Sequence, residues 1–124
     1  MSKRILIFDD DTDILSICTY ILEEQGWEVK TSSHCNQIVD LVREFMPDVI
    51  LMDNWIPDTG GVIATQSIKK EADLRHIPVV YFSANNDIQS LARQAGADTH
   101  LEKPFDLNEL EAVIEGVLTK RVAV

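Results

Sequence analysis

Apolar residues form short continuous runs at three places, residues 5–8, 49–52 and 79–82. Each run has strand length and is rich in branched aliphatic or aromatic residues, which is typical of parallel strands covered on both faces. Residues 27–31 alternate more between apolar and polar positions, and residues 99–101 are short and polar, so both are predicted to be edge strands. The pattern therefore predicts five strands.

Between these runs the apolar residues recur at spacings of three and four, which predicts amphipathic helices. The two strongest stripes are Ile14, Ile17, Cys18, Ile21 and Leu22, and Leu107, Leu110, Val113, Ile114, Val117 and Leu118. Asp106 and Glu109 have the spacing of a capping box at the start of the last helix. Weaker stripes begin near residues 38, 62 and 88, and Pro47 and Gly96 end the first and last of them.

Strict alternation of strand and helix predicts an α/β protein of (βα)5 type, a doubly wound parallel sheet with right-handed crossovers and helices on both faces. In such sheets a ligand binds beyond the carboxyl ends of the strands, near the point where the strand order reverses. The loops that follow the strands are therefore the places to look for function.

Length and charge narrow the class of protein. At 124 residues, with 45% hydrophobic and 26% charged residues, the sequence is expected to form one globular domain over residues 1–124. Against 11 basic residues stand 21 acidic ones, and the net charge of −10 argues against binding to a phosphate backbone. We therefore expect no direct binding of nucleic acid by this domain.

Neither a membrane span nor a secretory leader is expected. No apolar stretch approaches the roughly 20 residues that cross a bilayer, and the first four residues lead directly into an apolar strand. A cytoplasmic protein without membrane contact is the prediction. Cys18 and Cys35 fit no metal-ligand spacing and are expected to be reduced packing residues, with a single disulfide as the alternative.

Polar residues follow four of the five predicted strands. Asp9 and Asp10 follow the first strand, Asp53 the third, Ser83 the fourth, and Lys103 lies just beyond the fifth. If the strands lie in the order 2-1-3-4-5, these side chains converge at one end of the sheet. The sequence therefore predicts a site there.

The residue types in this predicted site suggest phosphoryl chemistry. Crowded carboxylates raise one another's pKa values and destabilise a fold unless a cation lies among them. An all-oxygen cluster without His or Cys favours Mg²⁺, for which Mn²⁺ is an alternative. Lys103 and Ser83 offer donors for phosphoryl oxygens, and Asp53 is the candidate nucleophile that would form an acyl phosphate.

Taken together, the motifs at the strand ends resemble those of one family. The chain is similar to the receiver domain of two-component response regulators, of the single-domain chemotaxis-regulator type. The matching segments are residues 5–11, 48–53 with Pro57 and Gly61, 82–84, 96–98 and 103–105. The resemblance covers nearly the whole chain and implies the strand order 2-1-3-4-5 of a flavodoxin-like three-layer sandwich.

The resemblance also implies roles for individual residues around a metal ion. Asp53 is similar in position to the family's phosphoacceptor, and Asp9 and Asp10 to the acidic pair that holds Mg²⁺. Asp10 would bind the ion directly, Asp9 through water, and the backbone carbonyl of Trp55 would be a further ligand. Trp55, two residues beyond Asp53, departs from the residues usual at that place.

Three more positions match the family's switching apparatus. Ser83 corresponds to its Ser/Thr switch hydroxyl, and Lys103, before an expected cis bond to Pro104, would contact phosphoryl oxygens. His100 lies where the family has its switch aromatic residue. A turn hydroxyl at Ser83 and an exposed strand end at His100 are the plainer alternatives.

The implied function is that of a phosphoacceptor in a phosphorelay. The donor would be a histidine kinase or a histidine phosphotransfer protein, and the output an unidentified protein target. The domain would phosphorylate and dephosphorylate itself but would not be a turnover enzyme. The sequence leaves open the cognate kinase, the lifetime of the phosphoryl group, formation of a phosphorylation-dependent homodimer, and whether the chain belongs to a longer regulator.

Three other functions are alternatives. A Mg²⁺-dependent phosphohydrolase would need a general acid where Trp55 stands. A flavin-binding electron carrier shares the topology but needs a phosphate-binding loop after the first strand, where acidic residues repel phosphate. A degenerate receiver that only binds partners is disfavoured because the acidic pair, Asp53, Ser83 and Lys103 are all present.

Overall fold

Five strands and five helices alternate along the chain in the computed structural model. The structure describes residues 3–34, 37–54, 60–84 and 87–123, with side chains described as far as residue 118. The elements are β1 (Lys3–Phe8), α1 (Thr12–Glu24), β2 (Trp27–Ser32), α2 (Ile38–Phe45), β3 (Val49–Asp53), α3 (Gly61–Lys70), β4 (Val79–Ser83), α4 (Ile88–Ala95), β5 (Thr99–Glu102) and α5 (Leu107–Ala123). The predicted (βα)5 order is confirmed.

All strand pairs are parallel, and the sheet has the order β2-β1-β3-β4-β5. The central strands β1, β3 and β4 derive from the three continuous apolar runs, and every residue of β3 and β4 is buried. The more polar β2 and β5 are the edges, as predicted. The order reverses between β1 and β3, and because β1, β3 and β4 are adjacent and parallel, their carboxyl ends lie side by side.

The sheet separates two apolar cores. Alternate residues of the central strands pack on opposite sides, as the two-residue repeat of a strand requires. One core contains Leu6, Met52 and Tyr81 and is covered by α2, α3 and α4. The other contains Ile7, Phe82 and residues of α1 and α5. This double coverage explains why these strands read as continuous apolar runs.

The buried face of α1 differs from the predicted stripe. The buried residues are Leu15, Cys18 and Leu22, whereas Ile17 is 58% exposed. Apolar side chains flank this face on both sides, so the stripe in the sequence is wider than the surface that the sheet covers. Ile17 therefore lies on the exposed face of α1, and the prediction that it belongs to the packed stripe is wrong.

Helix ends follow the local signals. The side chain of Asp11 accepts hydrogen bonds from the backbone N–H groups of Asp13 and Ile14, which caps α1. Asp106 and Glu109 form the predicted reciprocal capping box before α5, at 2.8 and 3.2 Å. Within the described part of the chain, no helix combines the length and apolarity needed to span a bilayer.

Candidate functional site

Three carboxylates meet at the carboxyl edge of the sheet. Asp9 directly follows β1, Asp10 is the next residue, and Asp53 is the last residue of β3. Each offers one oxygen atom within 4.8 Å of the others. Asp9 and Asp53 are 1% and 5% exposed, whereas Asp10 is exposed. The predicted acidic cluster is therefore formed, with one member open to solvent.

Asp9 is held in place by the start of the following loop. Its Oδ1 accepts a hydrogen bond of 2.9 Å from the backbone N–H of Asp11, and its own N–H donates to the carbonyl of Ser32 at 3.2 Å. Because Asp11 also caps α1, these bonds join the carboxylate to the start of a helix. The orientation of Asp9 is thus fixed by hydrogen bonds to the backbone at the start of α1 and at the end of β2.

Lys103 reaches into the acidic cluster from the loop after β5. Its Nζ lies 2.6 Å from Asp9 Oδ2 and 3.1 Å from Asp53 Oδ1, and 4.5 Å from the centre of the Phe82 ring. Its backbone N–H donates to the carbonyl of Ser83 at 2.9 Å, and its bond to Pro104 is cis, as the resemblance implied. The lysine is thus fixed at its backbone and at its ammonium group.

The charges in the cluster do not balance. Burial by itself would lower the pKa of Lys103. The hydrogen bond to Asp9 and the charge of Asp53 outweigh this effect and raise the pKa above its ordinary value, so the side chain stays cationic. One ammonium group faces three carboxylates, which leaves a formal charge of −2 within a few ångströms. Such a cluster attracts a divalent cation.

The backbone after Asp53 is constrained by a close approach of Gly61 and by hydrogen bonds of Asn54. A side chain at Gly61 would place its Cβ atom 2.2 Å from the carbonyl oxygen of Asp53, so only glycine fits there. The N–H of Gly61 donates to the carbonyl of Asn54 at 3.0 Å, and the N–H of Asn54 donates to the carbonyl of Phe82 at 3.3 Å. Steric exclusion of a side chain therefore explains why glycine occupies position 61, which is part of the matching motif.

The two predicted switch residues lie on neighbouring strands, β4 and β5, and differ in burial. Ser83 is the last residue of β4 and is 7% exposed, and His100 is half-buried in β5. His100 pairs in register with Tyr81, whose hydroxyl donates a hydrogen bond to Asn54 Oδ1. The switching roles of Ser83 and His100 stay predictions. Trp55, predicted to offer its carbonyl to the metal, lies outside the described residues.

Sequence reasoning missed Asn54 and Tyr81. Tyr81 lies within a continuous apolar run, so the pattern predicts only a core residue there. Asn54 follows the acidic Asp53 and carries no motif of its own. A phenol within a continuous apolar run was the available signal, because a buried hydroxyl needs a hydrogen-bond partner.

Cys18 lies under the site as a packing residue. It is 2% exposed, unpaired to any cysteine in the described part of the chain, and burial with the charge of Asp9 raises its pKa to about 11. It is therefore a neutral thiol at physiological pH, in agreement with the expected packing role. Cys35 lies outside the described residues.

The sequence of the chain is similar to those of known proteins. Residues 5–115 match the family described as the response regulator receiver domain. The phosphate regulon transcriptional regulatory protein PhoB of Escherichia coli (strain K12) is 31% identical over 122 residues, covering 97% of this chain and 53% of PhoB. The polar-differentiation response regulator DivK of Brucella ovis is 30% identical over 121 residues, covering 95% of this chain and 98% of DivK.

A solved structure agrees with these sequence relatives. The receiver domain of the sensor histidine kinase PA1611 from Pseudomonas aeruginosa PAO1 superposes with a TM-score of 0.87 at 26% identity, covering 96% of this chain and 99% of that domain. That domain has a magnesium ion coordinated in its active-site cleft. The chain thus spans about half the length of PhoB and nearly all of DivK.

Proposed function

Because the chain belongs to the response regulator receiver domain family, we propose that it accepts a phosphoryl group on Asp53 from a phosphohistidine donor. The observation that carries this proposal is the placement of Asp53. It is a buried carboxylate at the end of a central strand, within 3.1 Å of the Lys103 ammonium and beside two further carboxylates. A nucleophile, a cation for phosphoryl oxygens and an acidic metal cluster are thus in contact.

The acidic cluster fits a hard divalent cation. Asp9, Asp10 and Asp53 would hold Mg²⁺ or Mn²⁺, with the carbonyl of Trp55 as the further ligand that the family resemblance implies. The charge of −2 that remains after Lys103 is counted supports this fit. Mg²⁺ bound there would neutralise the phosphoryl oxygens and the carboxylate that approaches them.

The chain's own residues divide the transfer step among them. An oxygen of Asp53 attacks phosphorus, the P–N bond to the donor imidazole breaks, and the imidazole nitrogen keeps the electron pair and takes a proton from solvent. Lys103 exchanges its hydrogen bond to Asp53 Oδ1 for one to a phosphoryl oxygen. Ser83 would donate a second hydrogen bond, and His100 would follow its movement at the surface of β5.

The output of this step would be a changed protein-interaction surface. Donors would be a histidine kinase or a histidine phosphotransfer protein, and the receiver would turn over only its own phosphoryl group. We treat residues 1–124 as one receiver domain that acts in the cytoplasm on a protein target. The net charge of −10 disfavours direct nucleic-acid binding by this domain. Gel filtration before and after phosphorylation tests for a homodimer.

The decisive experiment is phosphorylation by a small donor. The protein is incubated with Mg²⁺ and acetyl phosphate, and its intact mass is measured before and after. We expect a gain of one phosphoryl group in the wild type and in Asp40→Asn, which removes an exposed carboxylate on α2. Asp53→Asn should gain none.

Two results would contradict the assignment. An unmodified wild type would remove the proposed function, and a phosphoryl group retained in Asp53→Asn would place the acceptor elsewhere. The same samples test the phosphohydrolase alternative, because repeated release of phosphate from added phosphomonoesters would indicate a turnover enzyme rather than a receiver.

A further inference from the structure

Tyr81 carries a polar hydroxyl group in a fully buried central strand of the sheet. It lies in the middle of β4, its side chain is fully buried, and the core cluster to which it belongs is otherwise apolar, with Met52 and Leu6 among its members. A phenylalanine would fill the same space without the cost of burying a hydroxyl group. The hydroxyl therefore calls for an explanation beyond packing.

The hydroxyl of Tyr81 donates a hydrogen bond to the side-chain oxygen of Asn54. Burial, and then the charge of Asp53, raise the pKa of Tyr81, so the phenol keeps its proton and acts as the donor. Asn54 offers its Oδ1 as the acceptor. The bond thus joins the middle of a rigid central strand to the first residue after β3.

Asn54 is the residue that directly follows Asp53 in the chain. Its backbone is already bonded on both sides, through its N–H to Phe82 and through its carbonyl to Gly61. The bond from Tyr81 fixes its side chain as well. Because Asn54 shares a peptide unit with Asp53, its position restricts the direction in which the Asp53 carboxylate points.

We propose that Tyr81 is a positioning residue for Asp53, which holds Asn54 so that the carboxylate keeps its direction toward the incoming phosphorus. Tyr81 acts through its hydrogen bond to Asn54. The inference rests on the proposed phosphoacceptor function of Asp53. Small displacements of a nucleophile slow a reaction strongly, which gives a single remote hydrogen bond a measurable effect.

A double-mutant cycle tests the proposal. The rate of Asp53 phosphorylation by acetyl phosphate at saturating Mg²⁺ is measured for Tyr81→Phe, for Asn54→Ala and for the double variant. Each single variant should be slower by roughly threefold to tenfold, the range that one lost hydrogen bond allows. The double variant should react at nearly the rate of Asn54→Ala, because the proposed effect of the Tyr81 hydroxyl on Asp53 passes through Asn54.

Tyr20→Phe is the matched control, since it removes the same atom from the chain's other tyrosine, which is 69% exposed on α1. It should react at the wild-type rate. A wild-type rate in Tyr81→Phe overturns the proposal. So does a double variant slowed by the product of the two single effects, which would indicate that the Tyr81 hydroxyl acts independently of Asn54.

Mg²⁺ binding, measured by calorimetry, separates this inference from the proposed function. If the wild type binds Mg²⁺ but acetyl phosphate does not modify it, the phosphoacceptor assignment fails while positioning is still measured. Tyr81→Phe and Asn54→Ala should then weaken Mg²⁺ binding by about twofold to fivefold, because Asp53 belongs to the cluster. Unchanged affinity in both variants overturns positioning. If Tyr81→Phe does not fold, Asn54→Ala alone carries both measurements.

Discussion

Two lysines with almost the same burial lie at different ends of the molecule. The side chains of Lys69, on α3, and Lys103, after β5, are 18% and 16% exposed, and each ammonium group contacts an aspartate. Lys69 Nζ donates to the carbonyls of Arg75 and Ile77 and to Asp98 Oδ2, at 3.0, 2.8 and 2.8 Å. Its three protons are therefore all used by the fold.

Lys103 lies in the opposite electrostatic situation. Two carboxylates bind its ammonium group, a third lies beside them, and the ring of Phe82 covers another side. The pair of Lys69 and Asp98 is neutral, whereas the cluster around Lys103 keeps a formal charge of −2. A lysine whose donors are all used by the fold stabilises the structure. A lysine that faces more carboxylates than it can neutralise leaves negative charge for a metal cation.

The largest expected effect comes from removing the charge of Lys103. Lys103→Met keeps most of the side-chain length but leaves no cation for phosphoryl oxygens, and should slow phosphorylation by acetyl phosphate on the order of 10²–10³-fold. Lys69→Met, the same change at the saturated lysine, should alter that rate by less than about twofold. The measurement is the rate of mass gain at saturating Mg²⁺. Equal losses in both variants would contradict the distinction.

The two substitutions should also differ in their effect on the free energy of unfolding and in how that effect responds to Mg²⁺. Lys69→Met leaves two carbonyls without their donor and Asp98 without its cation, and should lower the free energy of unfolding by about 2 kcal/mol. The loss should be the same with and without Mg²⁺. In Lys103→Met, added Mg²⁺ should restore much of the lost stability, because it replaces the missing charge. Urea unfolding with and without the ion measures both.

The contrast also shows why the sequence predicts one lysine and not the other. Lys103 is found because the chain order puts it at a strand end, where parallel topology gathers Asp9 and Asp53 as well. Two of the partners of Lys69 are backbone carbonyls in the turn before β4. Because every residue has a backbone carbonyl, no pattern of residue types predicts a lysine site that is built from carbonyl groups.

The fold was predictable to the level of element order and strand order, since buried parallel strands leave continuous apolar runs. The details that failed depend on shape. Ile17 is apolar but exposed, because only the three-dimensional path of α1 decides which part of a wide stripe meets the sheet. The hydrogen bond of Tyr81 to Asn54 likewise depends on how the chain turns after β3.

Mg²⁺ should stabilise the outnumbered cluster and leave the neutral pair unaffected. At a concentration about ten times the dissociation constant, an ion that binds only the folded state raises the free energy of unfolding by about 1.4 kcal/mol. Asp10→Asn, which removes the exposed member of the cluster, should abolish most of this gain. Lys69→Met should keep it in full. An undiminished gain in Asp10→Asn would place the ion elsewhere.

The smallest expected effect uses Cys18 as a probe of the cluster's charge. Burial and, to a smaller extent, the charge of Asp9 raise its pKa from an ordinary value of 9.0 to about 11, although the charge of Lys103 acts to lower it. Because the folded-state pKa lies above the unfolded one, the thiol's contribution to stability is complete below about pH 9 and is lost as the pH approaches 11. The Cβ chemical shift of Cys18, followed by NMR against pH, reports the midpoint of its titration.

Asp9→Asn should lower this midpoint and Lys103→Met should raise it, each changing the proton affinity of the thiol by about twofold to fivefold. Lys69→Met should leave it unchanged, and a midpoint that moves as much there would show that the thiol senses general loosening of the fold rather than the field of the cluster.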